Sequence, residues 1–298
     1  MSPSVSSVPG LDALARAEVN APGLHPLDRA TGNGHPTQPI QRAFEPCAFP
    51  SDREIQSPRT VTVNEPLPSK GIIFQESKLA HQLLDGLEGL EIGPAFHNPF
   101  GLKTRTVSLT AQLDAHDYGD SERAQLEMCG RVATIDIAAD AAQIPLAASS
   151  VDFVLHSHVW EHLPNPLVAL DEWVRVVKPG GFIFAIVPKR DAALADQERS
   201  LTTFRALLDH YRRKTVYEDR MWEMKGIPRG HYTVFSPDLL RETANWFNHS
   251  HHRARLDEVA FQETDDKVGN GHTIVWRVHK FGFLKAWFRR LTHPRSNP

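Results

Sequence analysis

Apolar and polar positions divide the chain into a long opening without rhythm and a regular alternation after it. Residues 1–68 hold half of the chain's 22 prolines and the run Gly32-Asn33-Gly34-His35-Pro36. A segment that buries so little apolar surface cannot offset its ordering entropy, so this stretch is expected to be largely disordered, with a helical turn at most. Ile72-Ile73-Phe74 opens the folded part. Leu79, Leu83, Leu84 and Leu87 recur at helical spacing and predict a helix leading into a first strand that ends at Gly93. Further strands are expected at Thr104 to Leu109, Ala133 to Ile137, Val151 to Leu155 and Phe182 to Val187. A helix over Asp120 to Met128 and another opened by Pro164-Asn165-Pro166 fall between them.

In this pattern Lys178-Pro179-Gly180-Gly181 stops the second of these helices. The strand after it is apolar throughout, as a central strand covered on both faces should be. Strands alternating with helices indicate a parallel sheet with helices on both sides. Residues 189–236 interrupt the alternation with one amphipathic helix near Leu201 to Tyr211 and a polar, aromatic remainder. Ser236-Pro237 caps a last helix, and Arg255 to Phe261 and Thr273 to Val278 read as a terminal antiparallel pair. The domain is thus expected over 69–280, with the insertion at 189–236 and a tail at 281–298.

Composition narrows the function only by exclusion. The net charge of −3 gives no reason to expect a nucleic-acid partner. Cys47 and Cys129 make neither a disulfide framework nor a zinc ribbon. No apolar run approaches the ~20 residues of a membrane span, and the amino end lacks a basic region followed by an apolar stretch, so a cytoplasmic location is the expectation. The last stretch, with Lys280, Lys285, Arg289, Arg290 and Arg295 among aromatic residues, could make a weak contact with a membrane surface or pack on the domain.

The chemistry concentrates at strand ends. Gly93 permits a turn that lets a ligand approach the main chain, and Glu91 stands two residues before it at the carboxyl end of the first strand. The strict dinucleotide fingerprint is absent, because Ala95 takes the place of its second glycine. Asp140, beyond the third strand, could accept from an adenine amino group, or could be a solvated loop aspartate. Asp152 reads as structural, at the amino end of its strand.

His156-Ser157-His158-Val159-Trp160-Glu161-His162 is the most chemical-looking run. His158 and His162 would share a helix face, but the His-Glu-x-x-His order and a nearby third ligand are missing, so no metal is assigned. A loop-capping role or a base at the substrate mouth remain the alternatives.

The segments Leu90-Glu91-Ile92-Gly93-Pro94, Asp140-Ala141-Ala142-Gln143-Ile144-Pro145, Ser150-Val151-Asp152-Phe153-Val154, Glu161-His162-Leu163-Pro164 and Val177-Lys178-Pro179-Gly180-Gly181 come in order. In them the sequence resembles class I S-adenosylmethionine-dependent methyltransferases of the broad type 11 kind. The resemblance implies a Rossmann-like, doubly wound α/β sheet of seven strands ordered 3-2-1-4-5-7-6, the last strand antiparallel. It implies S-adenosyl-L-methionine as cofactor, held by Glu91, Gly93 and Ala95 at the methionine part and by Asp140 and Ala141 at the adenine, with Ser157 and His158 beside the sulfonium. It also places Ser108 where the family usually carries an acid for the ribose hydroxyls. Asp114 is the other candidate for that acid.

The leading expectation is O-methylation of a small molecule or glycan acceptor, with His158, His162 or His231 as the proton acceptor. Arg190, Arg199, Arg205 and Lys225, with Tyr217, Trp222 and Tyr232, would recognise a polar or anionic acceptor from the insertion. The competing expectation is a non-catalytic binding protein that keeps the fold after losing cofactor contacts, with Ala95 and Ser108 in its support.

Overall fold

The computed structural model describes residues 74–94, 98–109, 125–126, 132–223 and 230–282. The proline-rich segment, Ala95, Asp114, Lys225 and the tail beyond Gly282 lie outside them, as does most of the helix expected over 120–128, of which Gln125 and Leu126 are helical.

The first helix, α1 (Lys78–Leu84), starts where the Ser77 side chain accepts from the Ala80 amide. The strands are β1 (Gly89–Ile92), β2 (Thr104–Ser108), β3 (Ile137–Ala138), β4 (Val151–Ser157), β5 (Val177–Pro188), β6 (Ala254–Gln262) and β7 (Gly271–Lys280). Between β4 and β5 lies α2 (Pro166–Val176). The insertion contributes α3 (Leu194–Gln197), α4 (Phe204–Arg213) and α5 (Tyr217–Glu223), and α6 (Pro237–Ser250) precedes β6. The seven strands form one sheet in the order β3-β2-β1-β4-β5-β7-β6. The pairs from β3 to β5 are parallel, and β7 runs antiparallel to both β5 and β6.

Alternation along the central strands sends successive residues to opposite faces. Phe153, Leu155, Phe182, Phe184 and Ile186 pack with Ala80 and Leu84 of α1. Val154, Ile183, Ala185 and Val187 pack on the other face with Leu170 and Trp173 of α2 and Phe247 of α6. Trp173 is fully buried, so truncating it to alanine should cost about 3–5 kcal/mol. Among the described residues no helix is long and apolar enough to cross a membrane.

Four boundaries differ from the sequence pattern. The third strand shrinks to two residues, because the Asp136 carboxylate takes the Thr106 amide at 2.7 Å in place of a ladder carbonyl. The second strand ends one residue early, at Ser108. The fourth strand runs on through His156 and Ser157. Lys178-Pro179-Gly180-Gly181 lies within β5, where the pairing with β4 shifts register. Gly180 there has φ +85°, and a side chain at Gly181 would meet the Asp152 carbonyl oxygen at 2.2 Å, so this bulge needs both glycines.

Candidate active site

The carboxyl ends of β1, β2, β3 and β4 lie side by side, with Ile92 opposite Val107 and His156, and Ser108 opposite Ala138. Glu91 is 2% exposed. Its Oε2 accepts from the Phe100 amide at 3.4 Å, and its Oε1 has no hydrogen-bond partner among the described residues. Burial pushes the Glu91 carboxyl up to about 7, against the opposing pull of the Phe100 amide and the Lys267 ammonium. Lys267 is itself buried, donating to the Pro99 carbonyl at 3.2 Å and lying 4.9 Å over the Phe100 ring. Lys267 thus fastens the segment that covers Glu91.

Gly93 has φ +69°, and a Cβ there would stand 2.4 Å from Val159 Cγ2. The turn after β1 and the loop after β4 therefore touch at a point only glycine leaves open. Gln125 fixes the same turn, donating to the Pro94 carbonyl at 2.9 Å and accepting from the Ala133 amide at 2.7 Å. Ser108 is the half-buried last residue of β2 and brings a hydroxyl without charge to that edge.

Asp140 stands in the loop after β3, where its Oδ1 accepts from the Ala142 amide at 2.7 Å. The loop is splinted by α2. Trp173 Nε1 donates to the Ala141 carbonyl at 2.9 Å, Glu172 accepts from the Ile144 amide at 2.6 Å, and Arg175 donates to the Ile144 and Leu146 carbonyls. A buried carboxyl beside a glycine at positive φ fits the methionine end of S-adenosylmethionine. The rigid Asp140-Ala141 loop fits the adenine.

On the other side of Gly93, β4 delivers the histidine run. His156 is fully buried between Trp160 and Trp173, ring centroids 5.9 and 4.6 Å away. Burial, helped by the nearby His158, holds its imidazole down to about 3, so it is a neutral core group. Ser157 is buried as the last residue of β4. His158 has φ +55°, and its amide donates to the Ile186 carbonyl at 3.0 Å. His158 and His162 do not share a helix, because the chain turns at His158 and a short 3-10 turn spans only Trp160–His162.

Glu161 is fully buried at the centre of this region. His158 Nδ1 stands 3.7 Å from its Oε1, and His162 Nε2 stands 3.8 Å from the same oxygen. The insertion returns here, with the Tyr232 and Thr233 amides donating to the Glu161 carbonyl at 2.7 and 3.2 Å. That return brings His231 beside His162, ring centroids 4.7 Å apart. His231 Nδ1 bonds the Asp196 carboxylate, and His162 Nδ1 bonds the Gly230 carbonyl at 3.3 Å. Burial raises the Asp196 carboxyl, but His231 and Arg199 together hold it below its usual value.

All three candidate histidines therefore gather around Glu161, whereas the acceptor-recognition residues scatter. Arg199 is committed to Asp196 and the His231 carbonyl. Tyr232 is buried, with Arg220 5.1 Å over its ring, and closes the insertion's own core. Trp222 is 86% exposed. The sequence pattern did not mark Glu161 as a site residue, and Asp196, Gln125 and Lys267 carry no local signal at all.

Residues 101–185 match the model of a methyltransferase domain family. Among solved structures, the chain is similar to a SAM-dependent methyltransferase from Thermotoga maritima, at 18% identity over 67% of this chain and 86% of that one, TM-score 0.37. It is also similar to a SAM-dependent methyltransferase from Aquifex aeolicus, at 19% identity over 72% and 94%, TM-score 0.36. N-methyltransferase NodS from Bradyrhizobium japonicum matches at 17% identity over 66% and 88%, TM-score 0.35. None of the curated proteins matches the chain. The family match falls on β2 through most of β5, so that part of the chain, within a seven-stranded sheet ordered β3-β2-β1-β4-β5-β7-β6, is similar to a methyltransferase domain.

Proposed function

We propose that the domain methylates a hydroxyl oxygen of a small molecule or glycan, with His158 as the base. The observation that supports this reading is the close approach of Gly93 to Val159, the residue that follows His158. When bound, S-adenosylmethionine supplies a methyl group already activated by its sulfonium. The chain's own task is then to hold the acceptor in line and to remove its proton. In support of that role for His158, its left-handed backbone turns the chain out of β4 immediately after Ser157. Glu161, with Oε1 3.7 Å from His158 Nδ1, is within ion-pair distance and would favour the imidazolium that forms.

His158→Gln should lower methyl transfer about 10²- to 10⁴-fold while leaving cofactor affinity within about threefold. The check is turnover against a panel of hydroxylated acceptors, with cofactor binding measured separately by calorimetry. Full turnover in this variant would end the assignment of His158.

A further inference from the structure

Glu161, His162 and His231 each offer one ligand atom, and these atoms lie within 4.8 Å of one another. The first two come from the turn after β4 and the third from the returning insertion. A metal-binding imidazole usually donates its other N–H to a carboxylate or a carbonyl, which fixes the ring and its tautomer. His231 has the carboxylate, Asp196, and His162 has the carbonyl of Gly230. Asp196 is 1% exposed and is fixed in turn by Arg199. The Glu161 side chain is fully buried, and a carboxylate so far from water favours a cation beside it. Two imidazoles and one carboxylate suit zinc, with a fourth position left for water or substrate.

We propose that Glu161, His162 and His231 bind one divalent transition-metal ion of the zinc type, with Asp196 as the residue that positions His231. Around zinc, bonds of about 2 Å put tetrahedral ligand atoms about 3.3 Å apart, so the side chains must close by about 1.5 Å. Side-chain rotation supplies that movement. Metal binding does not rest on the proposed methyl transfer.

The test uses the full chain, stripped of metal by a chelator and titrated with zinc by calorimetry. Cobalt(II) is then added, because its visible absorption reports tetrahedral nitrogen and oxygen coordination. The expected result is one equivalent of zinc, with affinity weakened at least about tenfold in His162→Gln and His231→Gln and about 10- to 100-fold in Asp196→Asn. His251→Gln, at the end of α6, should bind as the parent does. Glu161 is too buried for its own substitution to be decisive, so these variants carry the test once their melting temperatures match the parent's. Absence of stoichiometric zinc, or binding that His162→Gln and His231→Gln leave unchanged, overturns the site. Cofactor binding on the same metal-free protein separates the readings. A protein that binds cofactor but no zinc overturns the metal site and leaves methyl transfer standing.

Discussion

The proposed cofactor edge and the proposed acceptor side are built by different means. At the cofactor edge, Glu91, Ser108 and Asp140 each stand at or just beyond the end of a strand, and the sheet's register sets their spacing. At the acceptor side, Glu161, His162, Asp196 and His231 come from three separated segments and hold one another by side-chain contacts. The first region is set by strand register. The second joins a 3-10 turn and a short helix, each ordered locally, through side-chain contacts and the insertion's two bonds to the Glu161 carbonyl.

That contrast breaks most sharply at Gly93. Gly93→Val should weaken S-adenosylmethionine binding by roughly 100-fold, since it adds φ strain of about 1–3 kcal/mol and fills the approach to the main chain. It should also lower the melting temperature, because the new Cβ meets Val159. Adding Val159→Ala should restore part of the stability and none of the affinity. Recovery of both in calorimetry would show that the glycine serves packing alone.

His156 tests how β4 supports both regions. Its imidazole stays neutral down to about 3 in the folded protein, whereas in the unfolded chain it protonates near 6.5. Between those values the unfolded state holds more protons, so this contribution to stability is complete above pH 6.5 and is lost as the pH falls towards 3. His156→Phe keeps a ring between Trp160 and Trp173. Between pH 6.5 and 4.5 the variant should lose about 2–3 kcal/mol less than the parent in denaturant titrations. Equal losses would place the imidazole in contact with water.

Glu91 offers a smaller and opposite probe. With its carboxyl raised to about 7, the folded protein retains a proton that the unfolded chain releases near 4.5, so this group's contribution falls as the pH rises from 4.5 to 7. If the ionised form receives the cofactor's ammonium, affinity should rise about tenfold per pH unit up to about 7 and flatten above it. Glu91→Gln should remove that slope in calorimetry. The smallest effect belongs to Ser108→Asp. Adding the charge that assists a bond to a ribose hydroxyl should tighten cofactor binding about fivefold, unless an acid outside the described residues already fills the role.

The same contrast explains what the sequence could show. The Gly93 turn, the Ser236 cap and the Asp140 loop each follow from local patterns, and Ser236 indeed accepts from the Leu239 amide, whereas the strand order came from the family resemblance. The short third strand was not legible, because a side-chain oxygen of Asp136 substitutes for the ladder. Nor was the place of Lys178-Pro179-Gly180-Gly181, since a bulge and a helix stop use the same residues. Spacing alone left the conformation of the histidine run open, because nothing in it announces the left-handed turn at His158. The proposed metal site joins Glu161 and His162, adjacent in sequence, to one distant ligand. The candidate is His231, brought in by the insertion, and no spacing rule spans that return.

The bond from Trp173 to the Ala141 carbonyl has an optical consequence. Trp173, Trp160 and Trp276 are fully buried and should emit at short wavelength, whereas Trp222, 86% exposed, should emit like an indole in water. Replacing Trp222 and Trp287, the latter outside the described residues, with phenylalanine leaves the half-buried Trp246 and three buried indoles, one of them bonded directly to the loop that fits the adenine. Loading that loop should then change the fluorescence of an unlabelled protein, and the size of the change against cofactor concentration gives an affinity free of any assay for the acceptor.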